Sequence, residues 1–179
     1  LVGYSYGGTI ALRIAVETPE RVRSLTLIEP VFFAAAFAHY RTQYMRHIEQ
    51  QAAAMELGNW EEAAQLFLAD WGDGTPWERI PAAERSYMIE RMPIIPATAP
   101  AILDDAHRLM AAGRLERAEM PVLLVEGTQT MSIINHIQNG LAARLPNARR
   151  LMMSGADHML PETHADALSY ELSRVMAVA

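Results

Sequence analysis

Short apolar runs alternate with segments of helical periodicity at the two ends of this chain. Four runs predict β-strands: Leu1–Gly3, Val22–Ile28, Pro121–Glu126 and Ala148–Met153. The run PVLLVE is apolar at nearly every position, which is typical of a strand buried on both faces of a parallel sheet. Helical patterns lie between or after these runs, in Gly8–Thr18, Ser132–Leu145 and His164–Val178. Strands that alternate with helices predict right-handed βαβ units and an α/β fold.

The middle of the chain, residues 31–120, breaks this alternation and predicts helices only. Apolar residues recur at helical spacing over Phe37–Met55 and over Trp60–Trp71, and Asn59 is a candidate N-cap of the second stretch. The rest is predicted to form a helix, a proline-rich turn and a last helix: Ala82–Arg91, Pro93–Pro100 and Ala101–Leu115. The pattern therefore predicts an all-helical insertion between two strands of one sheet.

Composition narrows the classes of function. The chain has 179 residues, of which 51% are hydrophobic, enough for one domain with a sizeable core. A net charge of -6 argues against nucleic acid as a partner. No apolar run approaches the ~20 residues of a membrane span, so we expect no membrane partner and, by default, a cytoplasmic protein. The oligomeric state cannot be read from the sequence.

The absence of cysteine excludes disulfides, thiolate chemistry and cysteine-based zinc sites. No histidine pair stands with a carboxylate at metal-ligand spacing. We therefore expect neither a metal nor a cofactor, and take a small molecule as the expected partner.

The chain opens on Gly-Tyr-Ser-Tyr-Gly, residues 3–7, between a strand end and a helix start. In this context G-x-S-x-G predicts a sharp turn that exposes the hydroxyl of Ser5 at the carboxyl edge of the sheet. The backbone N–H of Tyr6, at the helix N-terminus, is the expected first donor of an oxyanion hole. The alternative is a glycine-rich turn with an idle serine.

A serine nucleophile needs a base, and His158 is the best placed of six histidines. It follows the strand Ala148–Met153 in a loop, and parallel strands share their carboxyl edge, so it is predicted to lie beside Ser5. The order of serine first and histidine last also fits. The other histidines are predicted to lie in helices or at a helix start: His39, His47, His107, His136 and His164.

The third member of a triad, the acid, is less obvious. The loop Gly127–Thr130, after the penultimate strand, contains no carboxylate. Glu29 closes the strand Val22–Ile28 at the same sheet edge and is the preferred candidate. Glu126 and Asp157 compete with it, and the absence of any acid also stays open.

The segments GYSYGG, PERVRSLTLIEP, PVLLVEG and GADHMLP resemble the α/β-hydrolase superfamily, in its form with a helical lid. The resemblance covers essentially the whole chain. It implies the C-terminal part of that fold, with core residues 1–30 and 121–179 and lid residues 31–120. It also implies Ser5 as nucleophile and His158 as base. The majority acid position corresponds to Thr130, whereas some members carry the acid where this chain has Glu29.

The resemblance also implies that the first four strands, and the loop that supplies a second oxyanion donor, are not in this chain. We therefore expect it to be part of a longer protein and inactive alone. The expected function is a carboxylester-type serine hydrolase for a small to medium apolar acyl or cyclic substrate. The alternatives are a non-catalytic ligand-binding protein on the same fold and a carbon–carbon bond hydrolase. Tyr4, Phe32 and Trp71 are expected to line the pocket.

Overall fold

Four parallel strands form one sheet in the computed structural model, which describes residues 1–177 and the side chains as far as Val175. The strands, in sheet order, are β1 (Val2–Tyr4), β2 (Leu25–Ile28), β3 (Val122–Gly127) and β4 (Ala148–Met153). One row of the register runs Gly3, Leu27, Leu124 and Arg150. All four strands therefore end at one edge of the sheet.

Helices cover both faces of this sheet. They are α1 (Tyr6–Glu17), α7 (Ser132–Ala142), the short α8 (Leu160–Thr163) and α9 (Ala165–Ala177). Leu27 and Leu124 share one apolar cluster with α1 and α7, whereas Val125 belongs to a second cluster with α8 and α9. This alternation follows from the two-residue period of a strand. Every residue of β2 and β3 is buried, as their apolar sequences predict.

Five helices lie between β2 and β3: α2 (Ala38–His47), α3 (Glu49–Glu56), α4 (Trp60–Trp71), α5 (Ala82–Arg91) and α6 (Ile94–Ile102). Residues 31–120, all of which the structure describes, contain no strand. The helix α2 and the 3₁₀ turn Phe33–Ala35 pack on α7, and α4 packs on α3 and α5. The division of the chain into core and lid stays a prediction.

Two predictions for residues 93–115 were wrong. Most of the proline-rich stretch Pro93–Pro100 belongs to α6, with Pro93 at its N-cap and Pro100 inside the helix. Pro96 lies in the first turn, where an N–H has no intrahelical acceptor to lose. The helix predicted over Ala101–Leu115 ends at Ile102 and gives way to turns. Asp105 has a φ of 50°, and its carboxylate accepts the N–H of Leu109 at 2.7 Å, which holds a turn in place of a helix.

Smaller deviations concern individual residues. His107 lies in these turns and not on a helix. Asn59 occupies the N-cap position of α4, but its side chain makes no capping hydrogen bond. Val178, the expected end of the last helix, lies outside the described residues. Over the residues that are described, no helix has both the length and the apolar character needed to cross a membrane.

Candidate active site

Ser5 occupies a strained turn between β1 and α1. Its backbone adopts φ 52° and ψ −123°, and a positive φ is uncommon for a residue with a side chain. Its N–H donates to the Ile28 carbonyl at 2.9 Å. Gly3 permits the turn, because a Cβ there would lie 2.4 Å from the Gly7 carbonyl oxygen. The turn thus fixes the Ser5 hydroxyl at the carboxyl edge of the sheet.

His158, in the loop after β4, contacts Ser5 directly. Its Nε2 lies 3.1 Å from Ser5 Oγ, and its Nδ1 lies 3.1 Å from Glu29 Oε2. The Tyr4 hydroxyl donates to the His158 carbonyl at 2.8 Å, so the residue before the serine also holds the loop of the histidine. Burial, followed by the charge of Glu29, raises the pKa of Tyr4 to about 12, which keeps this phenol protonated as a donor.

Glu29 follows β2 with a φ of 47° and is fully buried. Its Oε1 accepts the Gly127 N–H at 2.7 Å, and its Oε2 accepts the Thr130 hydroxyl at 2.6 Å. With His158 this gives three hydrogen-bond partners, which a carboxylate removed from water requires. The structure therefore brings together the three residues that the sequence singled out, Ser5, His158 and Glu29.

The two competing acids lie elsewhere. The Glu126 carboxylate pairs with Arg150 and accepts from the Asn135 amide at 3.3 Å. Asp157 accepts the N–H of Met159 at 2.9 Å. Neither makes a hydrogen bond to His158. Sequence reasoning treated Thr130 only as a missing acid and overlooked its hydroxyl as a donor to Glu29.

Tyr6 is the first residue of α1, so its backbone N–H has no acceptor within the helix and stays available beside Ser5. Its side chain lines an apolar cavity of about 340 Å³ that also reaches Ser5 and His158. The other walls come from the segment after β2 and from α2, α3, α4 and α6, and include Val31, Phe33, Tyr44, Met55, Trp71 and Ile102.

A second cavity, of about 540 Å³, shares Ser5, Phe67, Trp71 and His158 with the first. Tyr4 and Met159 line it, and it is more polar than the first cavity. Its charged lining residues are Asp73, Arg79, Glu84 and Glu162. The Ser5 hydroxyl therefore lies where an apolar and a polar cavity meet.

Of the residues predicted to line the pocket, Trp71 lines both cavities and Tyr4 lines the second. The prediction for Phe32 was wrong. Phe32 is fully buried in the core cluster that covers one face of the sheet, and its neighbour Phe33 lines the apolar cavity. The sequence gives no sign of which of these two neighbouring phenylalanines lines the cavity.

Comparison with known proteins agrees with this architecture. A family model described as the alpha/beta hydrolase fold matches residues 1–165. The chain belongs to the α/β hydrolase fold family. The fold class expected from the sequence, and the resemblance on which it rested, are confirmed.

Relatives of this α/β hydrolase chain include two proteins named pimeloyl-[acyl-carrier protein] methyl ester esterase. The one from Neisseria meningitidis serogroup A is 28% identical over 94% of this chain and 54% of its own length. The one from Nitrosomonas europaea is 25% identical over 87% and 62%. The chain thus spans a little over half of these relatives. Polyketide synthase ThaQ of Burkholderia thailandensis is 27% identical over 93% of this chain and 8% of its own length.

Solved structures share the fold. A hydrolase from Pseudomonas aeruginosa PA01 has a TM-score of 0.71 and 22% identity, over 98% of this chain and 63% of that one. MenH from S. aureus has a TM-score of 0.63 and 19% identity, over 99% and 67%. At these identities the likeness shows the architecture alone.

Proposed function

We propose that this chain carries the reactive site of an ester hydrolase, with Ser5 as nucleophile, His158 as base and Glu29 as the acid that orients the histidine. One observation carries the proposal: an unbroken series of hydrogen bonds from Thr130 through Glu29 and His158 to Ser5. Such a series is what activation of a serine hydroxyl requires.

In the first half-reaction Ser5 Oγ attacks the ester carbonyl carbon while its proton passes to His158 Nε2. The carbonyl oxygen becomes an oxyanion, which the Tyr6 N–H and the N-terminus of α1 stabilise. Glu29 stays ionised and stabilises the imidazolium. The C–O bond to the alcohol then breaks, and Nε2–H protonates the leaving oxygen. Water repeats the sequence on the acyl-enzyme, releases the acid and restores Ser5.

The two cavities divide the substrate between them. Tyr6, whose N–H faces the carbonyl oxygen, lines the apolar cavity, whereas Tyr4 and Met159, beside the histidine, line the polar one. We therefore place the acyl group in the apolar cavity and the leaving alcohol in the second. Two relatives of this chain are named as methyl ester esterases, which supports an ester substrate. A small to medium apolar acyl group suits a cavity of about 340 Å³.

A non-catalytic ligand-binding protein would need no triad acid, and Thr130 stands at the majority acid position. The Glu29 carboxylate, 3.1 Å from His158 Nδ1, supports the catalytic interpretation instead. Carbon–carbon bond hydrolysis would use the same three side chains, and no contact of the site favours it over ester hydrolysis.

Labelling with a fluorophosphonate tests the proposal. In the naturally expressed protein, mass spectrometry should place the adduct on Ser5, and Ser5→Ala should abolish labelling. His158→Ala should slow ester hydrolysis by at least ~10⁴-fold, because the serine loses its base. Ser154→Ala, on an exposed residue between β4 and His158, is the matched control and should label normally. An adduct on another residue, or unchanged turnover in His158→Ala, would refute the assignment.

A further inference from the structure

One polar side chain stands out in the wall of the apolar cavity. Helix α3 and the residue before it present Ile48, Gln51, Ala52 and Met55 to the cavity, at the i, i+3, i+4, i+7 spacing of one helix face. Three of these four residues are apolar, and Gln51 is the exception. Its side chain is nevertheless buried, with only 5% of the residue exposed.

The Gln51 amide has an unused donor. Its Nε2 makes no hydrogen bond within the part of the chain that the structure describes. A buried unpaired donor costs free energy, so native proteins satisfy nearly all of them. In Gln138, the other buried glutamine, Nε2 donates to the Val125 carbonyl at 2.8 Å, whereas Oε1 has no partner among the described residues. Gln51 therefore lines the cavity with an amide whose donor has no partner in the part of the protein that the structure describes.

Other polar groups of this cavity wall are already engaged or lie at its mouth. The Thr98 hydroxyl donates to the Ile95 carbonyl at 2.8 Å, and Glu56 is exposed at the end of α3. Ser5 and His158 serve the ester itself. Gln51 differs from these groups, because it is buried and its Nε2 has no partner among the described residues.

We propose that Gln51 Nε2 donates a hydrogen bond to an oxygen on the acyl chain, at a fixed distance from the ester carbonyl. The substrate class is then an ester of an oxygenated acyl chain, carrying a keto, carboxyl or ether oxygen, and not of a plain hydrocarbon chain. This inference rests on the proposed function, because it places the acyl group in the apolar cavity. An amide N–H donates and does not accept, so it favours an acceptor atom over an apolar atom at that position.

A series of esters tests the proposal. All members of the series carry the same leaving alcohol and an acyl chain of the same length. They differ in the carbon that bears a single keto oxygen. The first keto position is far enough from the ester to leave the intrinsic reactivity of the ester unchanged. We expect kcat/KM to peak at one oxygen position, about five- to tenfold above the all-carbon chain, as one neutral hydrogen bond provides. The effect should fall mainly on KM.

Two variants identify the donor. Gln51→Leu, of similar size and without the amide, should abolish the peak, so that kcat/KM no longer depends on the position of the oxygen. It should unfold at the same or a higher temperature, because an unpaired buried donor is lost. Thr98→Val is the matched control in the same cavity. Its hydroxyl is already bonded, so the ratio between oxygenated and all-carbon esters should not change.

Binding separates this inference from the proposed function. Methyl esters of the same chains, titrated into Ser5→Ala, can be followed by tryptophan fluorescence because Trp71 lines the cavity. A positional preference that disappears in Ser5→Ala/Gln51→Leu supports the role of Gln51 even if the wild-type protein hydrolyses no ester. Hydrolysis without a positional preference, or a preference that survives Gln51→Leu, overturns the inference and leaves the ester hydrolase standing.

Discussion

Glu29 is a charged residue with no exposure to solvent, and removing a carboxylate from water is costly unless donors surround it. Its Oε1 accepts from the Gly127 N–H, and its Oε2 is shared by the Thr130 hydroxyl and His158 Nδ1. The carboxylate is therefore fixed in position, and so is the imidazole that it contacts. In our proposal this rigidity sets the tautomer of His158, with its proton on Nδ1 and its free lone pair toward Ser5.

Replacing Glu29 by glutamine should therefore lower kcat/KM by about 10⁴-fold, because an amide orients the imidazole poorly and does not stabilise its cation. Thr130→Val should cost about tenfold, the value of one hydrogen bond to a charged group. Steady-state kinetics measures both, with circular dichroism to verify folding.

Asp157→Asn makes the same acid-to-amide change one residue from His158, at a carboxylate that does not contact the imidazole. It should retain activity within a few-fold. A larger loss in Asp157→Asn than in Glu29→Gln would identify Asp157 as the acid and contradict the proposed role of Glu29.

At the level of elements, the buried strands and the regular helices were the predictable part. Ala148–Met153 and Ala82–Arg91 have the bounds that the sequence suggested, since each is a continuous pattern between clear breaks. The structure of residues 93–115 was not predictable from the sequence. Where α6 begins relative to its prolines, and why Asp105 has a left-handed backbone, depend on tertiary contacts. The spacing of apolar residues carries no information about such contacts.

The candidate site was predictable for a different reason. Parallel strands end at a common edge, so Ser5, Glu29 and His158 were expected to converge there once the strands were recognised. The cavity was less predictable. The packing of the helices on the sheet decides whether Phe32 or Phe33 lines the cavity. It also decides that Gln51 lies in the cavity wall.

Replacement by alanine should change the stability differently at two glycines. Gly140, in α7, meets the turn Phe33–Ala35 so closely that a Cβ would lie 1.9 Å from the Ala35 carbonyl oxygen. Gly140→Ala should therefore lower the free energy of unfolding by about 1–3 kcal/mol, despite alanine's better helix propensity.

Gly7→Ala is the matched control, because a Cβ at Gly7 has no atom within 4 Å. This substitution should leave the stability unchanged or raise it by up to ~1 kcal/mol. Urea unfolding of the two variants measures the difference. Equal stabilities would mean that α7 and the turn are less closely packed than described.

At the scale of the whole molecule, the sheet edge and the helices between β2 and β3 together form the walls of the apolar cavity. Ser5, Val31 and His158 form one side, and residues of α3, α4 and α6 the other. We therefore expect the inserted helices to set the length of acyl chain that is accepted, while the sheet edge provides the chemistry.

Filling the cavity from the side of α6 tests this division. Ala99 lines the cavity, so Ala99→Phe should lower kcat/KM for the longest accepted acyl esters by tenfold or more, as occupied volume excludes the chain end. The shortest esters should be affected only a few-fold. Ala97→Phe, on an exposed position of the same helix, should leave the dependence on chain length unchanged. An equal loss for all chain lengths in Ala99→Phe would contradict the division.

The contacts of His158 also carry a consequence for how the molecule acquires its activity. The histidine lies 153 residues from Ser5 and 129 residues from Glu29 along the chain. Contacts so distant in sequence form late, after the chain entropy of closing the intervening loop has been lost. During synthesis Ser5 emerges well before His158, so a nascent chain in which β4 has not yet docked holds a serine without its base. Recovery of labelling at Ser5 during refolding would then report the docking of β4 on β3.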